Sequence, residues 1–285
     1  MHVIGAGHLA RLRLRAGLVT GRRIAAPPWF LIGPGVIAVG FLVIPLVALL
    51  LQAPWGSFAS IISTPSAMDA LRLSLITSLI ATAIAAVIGI PLAWLLAREI
   101  LPGTRLIRAL VIVPLLLPPV VSGVALLAAF GRRGSVGGFL FDTFGIQIPF
   151  TTTGVILAET FVAMPFLIIT LEGAFRSFDR RFEDAAVTLG ASPLTVFRRI
   201  TLPLVAPSII AGAALCWARA LGEFGATITF AGNFPGVTQT MPLAVYTALE
   251  SDRDIAIALS ILLLAVSVAV LVALRGNYMR GATRS

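Results

Sequence analysis

Residues 24–68 carry no charged side chain at all. A water-soluble fold has too little interior to hide such a run, whereas a bilayer core about 30 Å thick needs roughly 20 apolar residues per helical crossing. Further long apolar runs follow, and the whole chain is 58% hydrophobic and only 12% charged, with a mean hydropathy of +1.02. Soluble domains carry about twice that charged fraction. In hydrocarbon every backbone N–H and C=O must be satisfied without water, and runs of this length do so as helices. The expected class is therefore an all-α membrane protein with six transmembrane helices.

The six spans are expected at residues 29–51, 71–97, 109–130, 153–171, 206–230 and 255–274. Pro34 and Pro45 fall in the first, and Gly89 and Pro91 in the second. Pro114, Pro118 and Pro119 should kink the third. Residues 1–28 read as a basic tail and residues 276–285 as a second one. The first tail has Arg11, Arg13, Arg15, Arg22 and Arg23 but no acid, and the apolar run after it is too long for a cleaved signal peptide. Basic residues decide orientation. Sixteen of the 21, all of them Arg, fall in the two tails and in loops 98–108 and 172–205; only Arg132, Arg133 and Arg253 fall in the opposite loops. This places both termini in the cytoplasm and makes 172–205 an inner loop. The net charge of +9 is thus a topology signal rather than a nucleic-acid signal. The single Cys216 excludes an internal disulfide and a cysteine metal site, and His2 and His8 lie far from any other metal ligand. No catalytic group, metal or cofactor is expected.

Residues 183–203 read E-D-A-A-V-T-L-G-A-S-P-L-T-V-F-R-R-I-T-L-P, a polar and small segment among apolar ones. Glu183 and Asp184 suit the first turn of a helix, where carboxylates meet the positive end of the dipole. Ala185 and Ala186 allow another backbone to come close, and Gly190 can end the helix in the left-handed conformation. Ser192 followed by Pro193 reads as cap and first residue of a second short helix. Pro203 should then break before the fifth span. On these residues alone the segment is either a docking element or an ordinary amphipathic helix on the membrane surface.

The spacing resembles the loop by which permease subunits of ABC importers dock on their ATPase, E-A-A-x3-G-x9-I-x-L-P. Gly190, Ile200, Leu202 and Pro203 match it, as do Ala185 and Ala186. Asp184 stands where the general pattern has Glu, and Glu183 stands one place earlier, as it often does in the sulfate and molybdate branch. Residues 218–228, A-R-A-L-G-E-F-G-A-T-I, and 233–242, N-F-P-G-V-T-Q-T-M-P, also resemble that branch. The resemblance covers roughly residues 70–275. It implies an ABC importer permease fold with cytoplasmic coupling helices, a permease domain over 29–275, and import of molybdate or tungstate. It also implies two ATPase subunits, an extracytoplasmic binding protein and a second copy of the chain. ATP hydrolysis would belong to the partner, since this chain has no G-x-x-x-x-G-K-[ST] loop. One alternative is a sulfate or thiosulfate permease of the same architecture. Another is a secondary transporter driven by an ion gradient through Glu159 and Glu223, which would leave the docking loop without a purpose.

Three ionisable residues fall inside spans. Arg219 and Glu223 are four apart on the fifth, and Glu159 lies in the fourth at a similar expected depth. Such residues are costly in lipid and face the interior or a cavity. They form either a buried ion-pair cluster that fixes helix packing or part of the anion path. Gly222 and Gly225 beside them would allow another helix, such as that of a second copy, to approach. Arg132 and Arg133, flanked by Gly131 and Gly134, are either an outer anion lure or a solvated loop.

The topology has a direct test. With Cys216 replaced, single cysteines at Ser57, Ser135, Ser192 and Ser251 are exposed to an impermeant thiol reagent from outside. All but the one at Ser192 should react; reaction there would overturn the orientation and the docking assignment together.

Overall fold

The computed structural model describes residues 29–282, with side chains over 30–273. The basic tail expected over 1–28, His2, His8 and the side chains of Arg275, Arg280 and Arg284 lie outside the described residues. Every regular element among the described residues is helical. They fall into two units, divided after Leu51. The first is a single helix, α1 (Trp29–Leu51), apolar on every side with Pro34 and Pro45 inside it.

The second unit starts at Gln52. A short helix, α2 (Phe58–Ile62), leads into α3 (Pro65–Arg98), which at 34 residues is far longer than the expected 71–97. It starts this early because Thr64 caps it, accepting from the Ala67 N–H at 3.4 Å, with Pro65 preset at its first position. Then come α4 (Thr104–Leu116), α5 (Pro119–Phe130), α6 (Ser135–Phe144) and α7 (Thr152–Ser177). The loop after α7 holds α8 (Arg181–Thr188) and α9 (Pro193–Val196), and a π-helical turn over Phe197–Thr201 joins α9 to α10 (Leu202–Leu221). The chain ends with α11 (Gly225–Ala231), α12 (Met241–Ser251) and α13 (Arg253–Ala282). Helix α13 runs past the expected end of the sixth span at residue 274.

Five described helices are long and apolar enough to cross a membrane, six if the bent pair α4–α5 is one span. The third expected span is broken rather than kinked: the chain bends by 118° between α4 and α5. Each residue ahead of a proline is pushed out of helical geometry. Leu117 and Pro118 both precede one, and both are extended, with ψ of 134° and 138°. The pair still traverses the length of α7. Arg108 of α4 meets Glu172 near the α7 C-terminus, while Leu126 and Phe130 of α5 cluster with Ala158 and Val162 in its first half. The fifth span also breaks. Gly222 caps α10, Glu223 and Phe224 are non-helical, and Gly225 opens α11. Sequence reading had run one helix through this point.

Helix α7 is the centre of the second unit. Its Ala163, Leu167, Ile168, Leu171 and Phe175 are buried against α3 and α10. The buried face of α3 is a stripe of small residues, including Ala67, Ala70, Ser74, Ala81, Ala85, Gly89 and Ala93. Lipid tails are as apolar as leucine, so burial alone does not drive such helices together; close packing does. Leu167 shows how: a Cβ at Gly89 would lie 3.4 Å from its Cδ2, and one at Gly212 of α10 would lie 3.1 Å from its Cδ1. Toward the α12 end, Met241 and Ala248 pack on Ala67 and Ala70 of α3 and on Ala256 and Leu259 of α13. The Ser74 hydroxyl there accepts the Met241 N–H at 2.7 Å.

The glycines of the fifth span differ in kind. A Cβ at Gly225 would meet Pro119 Cβ at 2.4 Å, and one at Gly123 of α5 would meet Thr229 Cβ at 2.5 Å. Gly225 thus seats α11 on α5 of its own chain, not on a second copy. A Cβ at Gly222 would meet nothing nearer than 3.5 Å. Gly225→Ala should therefore destabilise by about 1–3 kcal/mol through overpacking, while Gly222→Ala should change little. Melting curves in detergent check both; equal effects would refute the assigned packing.

Candidate functional site

The loop of α8 and α9 folds from its own sequence. The Asp179 carboxylate accepts the Arg181 N–H at 3.0 Å, and α8 begins there with Glu183 and Asp184 in its first turn. It ends at Gly190, whose φ is +84°. Gly190 N–H bonds to Val187 O at 2.9 Å and Ala191 N–H to Ala186 O at 3.0 Å, the paired reverse bonds of a Schellman ending. Ser192 then caps α9, its Oγ accepting the Thr195 N–H at 3.3 Å, with Pro193 in the first turn. These features match the expectation. Pro203 does not: it sits in the first turn of α10 and breaks nothing. The π turn just before it widens the backbone, relieving the clash that a proline ring makes inside an ordinary helix.

Glu183 does not point away from the membrane unit. Arg98, at the end of α3, donates to its Oε2, and the Thr201 hydroxyl donates to its Oε1 at 2.5 Å. Glu183 thereby joins both ends of the motif, α8 and the π turn, to α3. Two rings complete the contact. Trp94 lies edge-on to Phe197 of the π turn with centroids 5.7 Å apart, and the Arg98 guanidinium lies 5.8 Å from the Trp94 ring. Asp184, by contrast, is exposed, as are Phe182, Val187, Leu189 and Leu194. Leu189 is 88% exposed, too much for a residue that only anchors its own loop. Ala186, Ile200 and Leu202 are half-buried and Ala185 is exposed.

A second ionic group lies alongside. Arg108 Nε donates to Glu172 Oε1 at 2.5 Å, and Arg176 reaches the same oxygen at 3.1 Å. Both arginines also lie 3.4 Å from Glu99. The ends of α3, α4, α7 and α8 on this side of the unit are thus joined by charge. Sequence reading used these arginines only to set orientation; the i, i+4 spacing of Trp94 and Arg98 was the available signal, and it was missed.

Deeper in the unit, Arg219 pairs with Glu223 at 2.6 Å. Because Glu223 lies in the break between α10 and α11, its other oxygen is free to accept the Ala226 N–H at 2.7 Å. The carboxylate is 1% exposed and the Arg219 side chain 28%. Glu159 does not complete a triad. Its Oε1 accepts from the Thr77 hydroxyl at 2.9 Å, and its Oε2 has no hydrogen-bond partner among the described residues. On the far side, the Arg132 guanidinium lies 4.0 Å from the Phe141 ring of α6. Gly131, Gly134 and Gly137 let α6 fold back on the end of α5, since a Cβ at any of them would strike a carbonyl oxygen of residues 127–131. Arg133 is exposed.

The model of the family described as "Binding-protein-dependent transport system inner membrane component" matches residues 89–280. This chain belongs to that family. It is thus a transport component rather than an enzyme. The molybdenum transport system permease protein ModB of Mycobacterium tuberculosis is 46% identical over 244 residues, covering 86% of this chain and 92% of that protein. The sulfate transport system permease protein CysT of Salmonella typhimurium is 35% identical over 234 residues, covering 81% and 84%. A bacterial ABC transporter involved in the import of alginate shares the fold, with a TM-score of 0.68 at 18% identity over 96% of this chain and 99% of that one.

The Arg219–Glu223 pair of this permease can be tested by a cycle. Arg219→Gln leaves a buried carboxylate with one backbone partner and should cost about 3 kcal/mol, roughly 6 °C in melting temperature. Adding Glu223→Gln should recover more than half of it. A single variant as stable as the parent, in detergent melts, would show that the pair does not fix packing.

Proposed function

We propose that the chain is the permease subunit of an ABC importer that carries molybdate across the cytoplasmic membrane. The observation that supports this most is the gradient of similarity: 46% identity to a molybdenum permease against 35% to a sulfate permease, over most of the chain in both cases. In this reading two copies form the pathway and lipid surrounds them. Both termini are cytoplasmic, as the arginine distribution argues. Two ATPase subunits dock at the loop of α8 and α9, and an extracytoplasmic binding protein delivers the anion at the opposite face. The residues offered to the ATPase are Asp184, Ala185 and the exposed apolar set Phe182, Val187, Leu189 and Leu194. Gly190 shapes the end of that surface.

Arg219, Glu223 and Glu159 line the interior without forming an open oxyanion site, because Arg219 is already neutralised by Glu223. Selectivity then rests mainly on the binding protein and on pathway shape. Arg132 and Arg133 belong to the outer rim, where Arg132 stacks on Phe141.

Reconstitution tests the reading. The chain, its ATPase and its binding protein are placed in liposomes with ATP inside and labelled molybdate outside. Uptake should require ATP and the binding protein, fall with excess tungstate, and persist in excess sulfate. Equal competition by sulfate would favour the sulfate permease; uptake driven by an ion gradient without ATP would favour a secondary transporter.

A further inference from the structure

One carboxylate makes the ionic link between the loop of α8 and α9 and the membrane unit. Glu183 accepts from Arg98 of α3 and from Thr201 of the π turn, and no other side-chain ion pair links α8 to α3 among the described residues. Both partners are enclosed: the Arg98 side chain is 9% exposed, that of Glu183 15%, and Thr201 1%. Trp94 and Phe197 close the group on its apolar side. Four side chains from two elements, α3 and the π turn, thus gather about the single acid of α8. In such a setting a charge-assisted bond is short, directional and little screened by salt.

The location matters as much as the strength. Helix α3 and helix α10 flank α7 through the core. Glu183 touches the inner end of α3 directly, and touches α10 through the π turn that begins it. A displacement of α8 therefore reaches both flanking helices at once. The π turn interrupts the α-helical hydrogen-bond ladder between α9 and α10, as π-bulges frequently do at functional sites.

We propose that Glu183 is a positioning residue: the Arg98–Glu183–Thr201 clamp fixes the angle of α8 and transmits its movement to α3 and α10, while contact with the ATPase is left to the exposed residues of the loop. This rests on the ABC importer reading above. A loop without the clamp would still dock and still permit ATP hydrolysis, but its movement would be lost within the loop instead of reaching the spans.

The test is made on the reconstituted complex with its ATPase and binding protein, reading ATP hydrolysed and molybdate taken up in the same liposomes. Arg98→Gln keeps a hydrogen-bonding side chain in place but removes the charge. Thr201→Val is a second, milder variant that cuts the other arm. In Arg98→Gln the ATPase should co-purify at parental yield and molybdate moved per ATP should fall about tenfold, within the usual range for coupling between sites. Thr201→Val should fall less, and the exchange Arg98→Glu with Glu183→Arg should recover at least half of the loss. An unchanged ratio in Arg98→Gln overturns the inference. So does loss of the ATPase from both variants, which would make the clamp a requirement of docking itself. Failure of the ABC reading is distinguishable, because the unmodified complex would then show no ATP-driven uptake of molybdate or sulfate.

Discussion

The second unit depends on how closely α3 and α10 can approach α7. In water, a helix with alanine and glycine along its buried face would gain little from association. In lipid the balance differs, because apolar burial contributes no net drive and the outcome is decided by contact density. A Cβ added at Gly212 would press on Leu167 at 3.1 Å, and one at Gly89 would press on Ile168 at 3.3 Å. The large residues of the core are concentrated on α7, while α3 supplies small ones. This division lets α7 be enclosed while α3 stays largely helical over its full length.

That enclosure sets where the backbone is allowed to be irregular. Broken helices in a membrane survive only where protein satisfies the freed groups. The break at Leu117 and Pro118 loses no donor from Pro118 or Pro119, which have none, and α5 then packs on α11. The break at Gly222 to Phe224 is bridged by Glu223, whose carboxylate takes both the Ala226 N–H and the Arg219 guanidinium. An acid that sequence reading treated as a mid-helix charge is thus a capping group. The π turn ahead of α10 is the third irregular point, and it lies beside the Glu183 clamp. The first two lie side by side, since Pro119 at the start of α5 meets Gly225 at the start of α11, and the third lies at the loop of α8 and α9.

The loop of α8 and α9 separates two roles that one motif combines. Its buried members tie the loop to the membrane unit, while Asp184 and the apolar Phe182, Val187, Leu189 and Leu194 are exposed. In α8, Glu183 turns toward α3 and Ala186, one turn on, is half-buried, while Phe182 and Val187 are exposed. A substitution at Glu183 and one at Leu189 therefore disturb different things, although both lie in the same short segment.

The sequence by itself determined the class of the protein, the approximate span positions and the form of the inner loop. Each of these rests on local chemistry. Charge-free runs require lipid, Gly190 reaches a φ that other residues resist, and Ser192 with Pro193 starts a helix. The spacing from Ala185 to Pro203 carried the family resemblance for the same reason. Only the tertiary structure decided what the charged residues do. Glu183 could not be assigned to Arg98 from a separation of 85 residues, nor could Glu159 be assigned to Thr77 instead of Arg219. The role of Gly225 was equally hidden, since a glycine that accommodates Pro119 of the same chain reads no differently from one that awaits a partner. Pairing and close approach depend on which elements meet, and that is set by the packing of whole helices around α7.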